Sequence, residues 1–260
     1  MDALRSIWLF VLVAANRMQN QLHPEPAAAH APMPIIVGSP RSGTTLLRLM
    51  LDAHRDMAIP TETGFVVPVL RLWGTGASLR RSFWNTVTEF PPEAPAWPDF
   101  CLSREALWSE LQAIEPFSTS AGLRCFYRMY ARRLDKPHWG DKIPQYGLYM
   151  QAIEQVLPEA RFIHVIRDGR DVALSLRDLW FSPGKDMQTL AKRWRHDVST
   201  ARAQGKRCYH YLEVRYEELV LHLSAVLQRV CAFCELDYDP GMETYFSGAP
   251  QRLDEDQARV

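Results

Sequence analysis

Short apolar runs alternate with longer segments of helical periodicity along most of the chain. Residues 35–37 (IIV), 161–166 (RFIHVI) and 210–214 read as buried strands. The segment TTLLRLMLDAH after the first run has the apolar spacing of an amphipathic helix. Further helical patterns cover residues 103–115, 119–134, 146–157, 171–180, 189–204 and 224–236. Strands that alternate with helices predict an α/β domain, in which a central parallel sheet is flanked by helices and ligands bind at the carboxyl ends of the strands.

The N-terminal segment stands apart from this alternation. Residues 6–15, SIWLFVLVAA, form an apolar run of ten residues, which is too short to cross a bilayer. A signal peptide is an alternative, because Arg5 precedes the run and residues 29–31 resemble a cleavage site, but the polar stretch between them is long. We therefore predict an N-terminal helix, packed on the domain or resting on a membrane surface, and a linker. Residues 1–33 form this unit, and residues 34–260 form one domain.

Residues 60–100 show no clear periodicity and are rich in glycine, proline and aromatic side chains. We predict an irregular lid or a structure on the acceptor side of the site. The aromatic side chains of residues 65–100 either pack on one another or line an apolar acceptor pocket.

Overall charge restricts the partners that this chain can have. Thirty basic residues balance thirty acidic ones, so the composition does not favour a general nucleic-acid or acidic-membrane binder. Any anion site must therefore be local. Five scattered cysteines do not resemble a disulfide framework. Cys231 and Cys234 fall on one face of a helical pattern, which favours two buried thiols over a metal or redox site.

The segment GSPRSGTT, residues 38–45, is the first candidate for chemistry. Gly38 and Gly43 frame four residues, as in a nucleotide-binding P-loop, but Thr44 stands where such a loop has its lysine. A buried strand precedes the segment and a helix follows it, so backbone N–H groups and the helix N-terminus can face one anion. Arg41 adds charge from within the loop, and Thr45 adds a hydroxyl donor beside Thr44.

A second candidate lies at the end of the strand at residues 161–166. Arg167 follows that strand, Asp171 is placed to cap the next helix, and Ser175 lies about one turn into it. Arg167 and Ser175 can meet on one phosphate. Two anion sites at neighbouring strand ends indicate a ligand with phosphates at both ends.

At these motifs the sequence resembles a known family. SPRSGTTLLRLMLDAH, taken with FIHVIRDGRDVALS, is similar to the sulfotransferases that use 3′-phosphoadenosine 5′-phosphosulfate (PAPS). Glu62 and Thr63 after the first segment, and HWGDKIPQY and LEVRYEELV further on, resemble the tyrosylprotein sulfotransferases and their bacterial relatives. The resemblance runs from about residue 34 to about residue 233.

The resemblance implies a set of nucleotide contacts. It places the 3′-phosphate on Arg167 and Ser175, and it gives Tyr216 a supporting role beside the nucleotide. The 5′-phosphosulfate would be held by Arg41, Ser42, Gly43, Thr44 and Thr45.

The resemblance also implies the groups that perform the reaction, with PAPS as co-substrate and adenosine 3′,5′-bisphosphate (PAP) as product. Glu62 is the expected base for the acceptor hydroxyl, and His138 is a reserve candidate. Lys142 and Arg41 are expected to stabilise the departing phosphate. Because the transferred SO₃ unit is neutral, no bridging magnesium or other metal is expected. His164 lies in a buried strand and is expected to be a core residue.

Two departures from the family pattern limit what the resemblance implies. Gly64 stands where the tyrosylprotein enzymes have an arginine, which weakens the case for a protein-tyrosine acceptor. The basic segment that helps hold the nucleotide in the family is absent or reduced to Arg252. A small-molecule kinase and a non-catalytic nucleotide- or glycan-binding protein stay open as alternatives. We expect a cytoplasmic protein with a hydroxyl-bearing acceptor, no nucleic-acid partner, and membrane contact, if any, through residues 6–15.

Overall fold

The computed structural model of the chain describes residues 30–89 and 97–254. The N-terminal helix that we predict at residues 6–15, and most of the linker after it, lie outside this part of the chain. Among the described residues, no helix combines the length and the apolar character needed to cross a membrane.

A four-stranded parallel sheet forms the centre of the fold, with the strand order β4-β1-β5-β6. A short second sheet pairs β2 with β3, also in parallel. The strands are β1 (Met33–Gly38), β2 (Met57–Ala58), β3 (His138–Trp139), β4 (Asp141–Lys142), β5 (Ala160–Ile166) and β6 (Tyr211–Arg215). The prediction of a central parallel sheet flanked by helices is confirmed.

Helices connect these strands and cover both faces of the sheet. Short 3₁₀ helices lie at Trp97–Phe100, Pro144–Leu148 and Pro240–Ser247. The α-helices in the described part of the chain are α1 (Thr44–Asp52), α2 (Val66–Val69), α3 (Gly76–Glu89), α4 (Arg104–Gln112), α5 (Thr119–Arg133), α6 (Met150–Val156), α7 (Gly169–Leu176), α8 (Met187–Gly205), α9 (Tyr216–Leu221), α10 (Leu223–Phe233) and α11 (Ala249–Asp254).

Strand β1 is buried on both faces, which explains its continuous apolar sequence. Ile35 and Val37 pack into a core that includes residues of α3, α5 and α6. Ile36 points the other way and packs with residues of α1 and α10. The alternation follows from the two-residue period of a strand, and it puts the two cores on opposite faces of the sheet.

The prediction that residues 60–100 are irregular is wrong for much of that segment. Helix α3 occupies fourteen residues of it. Leu79, Phe83 and Val87 recur every four residues and are buried, so the helix has a regular apolar stripe. Gly74 and Gly76 have positive φ angles at the start of the helix. These two glycines therefore mark the beginning of the helix and do not belong to a long loop.

Most of the aromatic side chains described in this segment pack on other aromatic rings, some within the segment and some outside it. Phe65, Trp97 and Phe100 are buried, and the Phe65 ring lies 4.9 Å from the ring of Phe126, centroid to centroid. Trp73 is the exception, with 70% of its surface exposed. The packing alternative therefore holds for the buried rings, and residues 90–96 lie outside the described part of the chain.

Two expectations about single buried groups are confirmed. Cys231 and Cys234 are both free and buried, with Cys234 just beyond the end of α10. Burial raises the pKa of the Cys234 thiol to about 12, so it carries no charge at neutral pH. His164 is fully buried in β5, its Nδ1 lies 2.7 Å from the hydroxyl of Tyr211, and burial lowers its pKa to about 4.

Candidate active site

All four strands of the central sheet end at one group of polar residues. Strand β1 leads into the loop at residues 38–45, β4 ends at Lys142, β5 is followed by Arg167, and β6 is followed by Tyr216. In chain order β4 is added on one side of β1 and β5 on the other. This reversal of direction opens a crevice at the carboxyl end of β1, which is where open α/β sheets bind ligands.

The loop after β1 has the backbone of an anion-binding turn. Arg41 and Gly43 have positive φ angles of 70° and 94°. Helix α1 begins at Thr44, and no side chain caps it. The N–H groups of its first turn are therefore free to face an anion. Gly38 allows a close approach of the neighbouring strand, because a Cβ there would lie 2.6 Å from the carbonyl oxygen of Val165.

The buried polar atoms without a hydrogen-bond partner among the described residues include one donor in each of these two segments. They are Oγ of Ser42 in the loop and Nε of Arg167 after β5. Buried donors are nearly always paired in folded proteins, so an unpaired donor in each anion site fits a ligand that contacts both. This chemistry suits a nucleotide with two separate phosphate groups.

Arg167 is held by contacts on several sides. Its guanidinium lies 4.7 Å from the centre of the Tyr216 ring, and one of its terminal nitrogens lies 3.6 Å from the carboxylate of Asp171. It also donates to the carbonyl oxygen of Arg41 at 3.4 Å. These contacts join β5, β6 and the loop, and they fix the guanidinium at the edge of the sheet.

Arg41 connects the two anion sites through its side chain. Its Nε donates a hydrogen bond to Oγ of Ser175 at 3.0 Å. Since Ser175 belongs to α7, this bond ties the loop after β1 to the helix after β5. The sequence predicts that Ser175 acts with Arg167; in the structure the Ser175 hydroxyl contacts Arg41, and its joint role with Arg167 stays a prediction.

The expectation that Asp171 caps the helix is wrong. Helix α7 begins at Gly169, so the capping position falls on Asp168, whose carboxylate accepts from the backbone N–H of Arg170 at 2.9 Å. Asp171 lies inside the first turn and faces Arg167 instead. The backbone N–H of Asp168 donates to Glu217 at 2.8 Å, which links the start of α7 to α9.

Glu62 and Lys142 form an ion pair beside the loop. The Nζ of Lys142 lies 2.8 Å from Oε1 of Glu62 and 3.3 Å from Oγ1 of Thr45. The Lys142 side chain is 3% exposed, whereas that of Glu62 is 38% exposed. A buried ammonium group therefore contacts the loop, and a carboxylate lies between it and solvent.

A second carboxylate lies behind this ion pair and is fully buried. Oδ2 of Asp141 accepts from the hydroxyls of Thr63 and Tyr127, both at 2.7 Å, and Oδ1 accepts from the backbone N–H of Lys142 at 2.7 Å. Burial raises the pKa of Asp141 to about 6. Our sequence predictions did not include these residues, although an aspartate directly before Lys142 in a buried strand is an unusual position for a charge.

The comparison with protein families agrees with this geometry. The family model described as "Sulfotransferase family" matches residues 32–240, which include every site residue named above. The chain belongs to the sulfotransferase family. The resemblance recognised in the sequence motifs is thereby confirmed.

Two curated relatives and one solved structure are also similar to the chain. The chain is 27% identical to a protein-tyrosine sulfotransferase of Drosophila melanogaster over 258 residues, 91% of this chain and 47% of the relative. It is 28% identical to the nodulation protein NoeE of Sinorhizobium fredii over 251 residues, 85% of this chain and 54% of the relative. The sulfotransferase domain of the Synechococcus PCC 7002 olefin synthase shares the fold, with a TM-score of 0.57, 24% identity, and coverage of 84% of this chain and 79% of that domain. The chain spans about half the length of the curated relatives named here.

Helix α8 contacts both of the candidate anion sites, and the sequence predictions did not include these contacts. Asp197 accepts from the Ser39 hydroxyl in the loop at 3.1 Å, and Nε1 of Trp194 donates to the carbonyl oxygen of Arg167 at 3.2 Å. The two residues are three positions apart and so share a helix face. That spacing was visible in the sequence, but nothing local indicated what the face contacts.

The two reserve candidates lie on other elements. His138 lies in β3, where its backbone N–H donates to the carbonyl oxygen of Asp56 at 2.9 Å, and its role as a reserve base stays a prediction. Arg252 forms an ion pair with Asp52 at 2.6 Å, at the end of α1 far from the loop. The idea that Arg252 replaces the basic nucleotide-binding segment of the family is wrong, because its guanidinium is bound elsewhere.

Gly64 has a backbone conformation that explains its identity. Its φ angle is 65°, in the left-handed region that glycine adopts without strain. A larger side chain at this position would strain the turn directly after Glu62 and Thr63.

Proposed function

We propose that the protein transfers a sulfuryl group from PAPS to a hydroxyl group of an acceptor. One observation carries the proposal. Two anion sites, each with a buried unpaired donor, lie at neighbouring strand ends, and the Glu62–Lys142 pair lies next to the first of them. PAPS carries a phosphosulfate at the 5′ end and a phosphate at the 3′ position, which matches two separate sites.

The donor nucleotide would be bound by groups on three strand ends. The backbone N–H groups of the loop, with the Ser42 and Thr44 side chains, would hold the 5′-phosphosulfate. Arg167 and Ser175 would hold the 3′-phosphate, since a guanidinium and a hydroxyl are both good phosphate donors. The Tyr216 ring packs against the Arg167 guanidinium and would support it from the side of β6.

The reaction is an in-line displacement at sulfur. The acceptor oxygen forms a bond to sulfur while the bond from sulfur to the bridging phosphate oxygen breaks. Glu62 would accept the hydroxyl proton, and it is the exposed member of its ion pair, so an acceptor can reach it from solvent. Negative charge grows on the departing phosphate, and Lys142, Thr45 and Arg41 would stabilise it.

A labelled-sulfate assay tests the proposal directly. Incubation with PAPS labelled in the sulfate group, and with alcohols, phenols, sugars and peptides as acceptors, is expected to yield a labelled sulfate ester without added magnesium. Magnesium-dependent phosphoryl transfer from ATP would contradict it in favour of a kinase. Binding of PAP with no transfer to any acceptor would contradict it in favour of a non-catalytic relative.

Arg167→Ala is expected to remove the preference for a 3′-phosphate. Wild-type protein should bind PAP more tightly than AMP, and the variant should lose about 10- to 100-fold in PAP affinity, because a charge-assisted contact is lost, with little change for AMP. Titration calorimetry with both nucleotides measures the difference. Arg170→Ala serves as the matched control, because Arg170 is an exposed arginine three residues further along the chain, in the first turn of α7. Unchanged discrimination in Arg167→Ala would refute the 3′-phosphate site.

Gly43→Ala is expected to disrupt the loop. A Cβ at this position would lie 2.3 Å from Cδ2 of Tyr216, and the φ angle of 94° is unfavourable for alanine. The loop or the ring must move, so PAP affinity should fall at least about 10-fold. Gly248→Ala is the control, because a Cβ at Gly248 meets no atom within 4 Å. Equal PAP affinity in the two variants would contradict the assigned loop.

A further inference from the structure

The segment that carries Glu62 and the strand that carries Lys142 are joined twice. The first link is the ion pair between the two side chains, 2.8 Å long. The second is formed by their chain neighbours, since the Thr63 hydroxyl donates to Asp141 at 2.7 Å. Both residues of the second link are fully buried, so solvent does not compete for it.

The two links lie on opposite faces of β4. Asp141 is level with Ile35 of β1 and faces the same core, where Tyr127 and Tyr146 pack. Lys142 is level with Ile36 and faces the side of α1 and the loop. Consecutive strand residues point to opposite faces, so one backbone step separates an ion pair at the site from a hydrogen bond in the core.

The hydrogens of the buried link can be arranged in only one way. The backbone N–H of Val66 donates to the Tyr146 hydroxyl at 3.0 Å, and that hydroxyl lies 3.2 Å from Oγ1 of Thr63. Because an ionised Asp141 only accepts, Thr63 must give its proton to Asp141, and Tyr146 must give its own to Thr63. The hydrogen bonds therefore run in one direction, from the Val66 N–H through Tyr146 and Thr63 to the buried carboxylate of Asp141. This direction fixes the orientation of the Thr63 hydroxyl.

The ion pair at the site cannot stay unchanged during the proposed reaction. Glu62 must accept a proton from the acceptor, and Lys142 must face the departing phosphate. Each group thus exchanges part of its contact with the other for a contact with a substrate. A link outside the site that does not change during the reaction is needed to keep the two groups aligned.

We propose that Asp141 is a positioning residue that acts through Thr63 to keep Glu62 and Lys142 aligned while their ion pair opens to the substrates. This role rests on the proposed function. It predicts that loss of the buried link lowers turnover, whereas the nucleotide, which is bound by the loop and by Arg167, is held as before.

Thr63→Val tests the role, because valine keeps the shape and removes the hydroxyl. We expect kcat to fall about 10- to 100-fold, as for a displaced catalytic group, with the Kd for PAP within about 2-fold of wild type. Thr63→Ser, which keeps the hydroxyl, should restore most of kcat. Tyr127→Phe is the matched control, since it removes a second hydroxyl bonded to the same Asp141 oxygen at the same 2.7 Å, but from α5 rather than from the segment that carries Glu62. It should lower thermal stability and leave kcat within about 2-fold.

Three results would overturn the role. They are an unchanged kcat in Thr63→Val, a loss of kcat in Thr63→Ser equal to that in Thr63→Val, and an equal loss of kcat in Tyr127→Phe.

If wild-type protein transfers no sulfate, the proposed function fails, and crystal structures of wild type and Thr63→Val still test the link. If the buried link positions Glu62, its loss in Thr63→Val should move the Glu62 carboxylate by about 1 Å or more away from Lys142. A Glu62–Lys142 distance equal to that of wild type would contradict the proposed role of the link. If Thr63→Val does not fold, Asp141→Asn is assayed in its place, and an unchanged kcat there would contradict the role equally.

Discussion

Glu62→Gln is expected to abolish nearly all sulfuryl transfer while PAP binding stays close to that of wild type. Glutamine has almost the same shape, and its amide oxygen can still accept from Lys142, which lies 2.8 Å from the native carboxylate. It cannot accept the proton of an acceptor hydroxyl. Loss of a general base typically costs about 10²- to 10⁴-fold in rate, so kcat should fall by that amount.

The measurement separates catalysis from binding. Transfer of labelled sulfate gives kcat, and titration calorimetry with PAP gives the affinity. Glu110→Gln is the matched control, because Glu110 is also in an ion pair, with Arg132, but lies on α4. Its kcat should equal that of wild type. Full turnover in Glu62→Gln would show that another group takes the proton.

The parts of the site that are local in sequence could be predicted from the sequence. The loop at residues 38–45 follows a strand whose residues are all buried, and it precedes an amphipathic helix. These features predict the position of the loop and the start of the following helix to within a few residues. Arg167 could be placed in the same way, since an apolar strand of seven residues ends directly before it. Short-range periodicity carries this information.

The contacts between distant segments could not be predicted from periodicity. Lys142 is 97 positions from Thr45, and Asp141 is 78 positions from Thr63. Strand β4, which brings both residues to the site, has only two residues and so shows no pattern. The family resemblance placed Lys142 at the reaction centre. The resemblance gave no role to Asp141, and its contact with Thr63 becomes visible only when β4 pairs with β1 in the folded structure.

Helix α3 illustrates a different kind of failure. Glycine and proline near both of its ends are typical of an irregular segment, and they led to the prediction of a loop despite the apolar stripe inside the helix. The stripe of Leu79, Phe83 and Val87 is nonetheless what packs the helix onto the core. Composition describes a segment as a whole, whereas a helix of this length depends on a few positions at regular spacing.

Lys142 brings an ammonium group to a loop that has no lysine of its own. Thr44 occupies the place of the usual P-loop lysine, and it is buried at the start of α1. The ammonium group comes instead from the end of the adjacent strand and reaches Thr45 at 3.3 Å. A lysine on a strand is held more rigidly than one on a loop, and here it can contact both the loop and Glu62.

Lys142→Met is expected to lower kcat about 10³-fold and to weaken PAP binding as well, because in the proposed reaction the buried ammonium would stabilise the departing phosphate. Methionine fills similar space without the charge, and it leaves Glu62 without its ion-pair partner.

Lys136→Met is the matched control. Lys136 is also partly buried and donates to the carbonyl oxygens of Asp52 and Met57, at the opposite end of α1 from the loop. Both variants should lose thermal stability, but only Lys142→Met should lose turnover. If the two lose stability equally and both retain kcat, Lys142 is a structural lysine, and the charge on the departing phosphate must be stabilised by Arg41 and the loop alone.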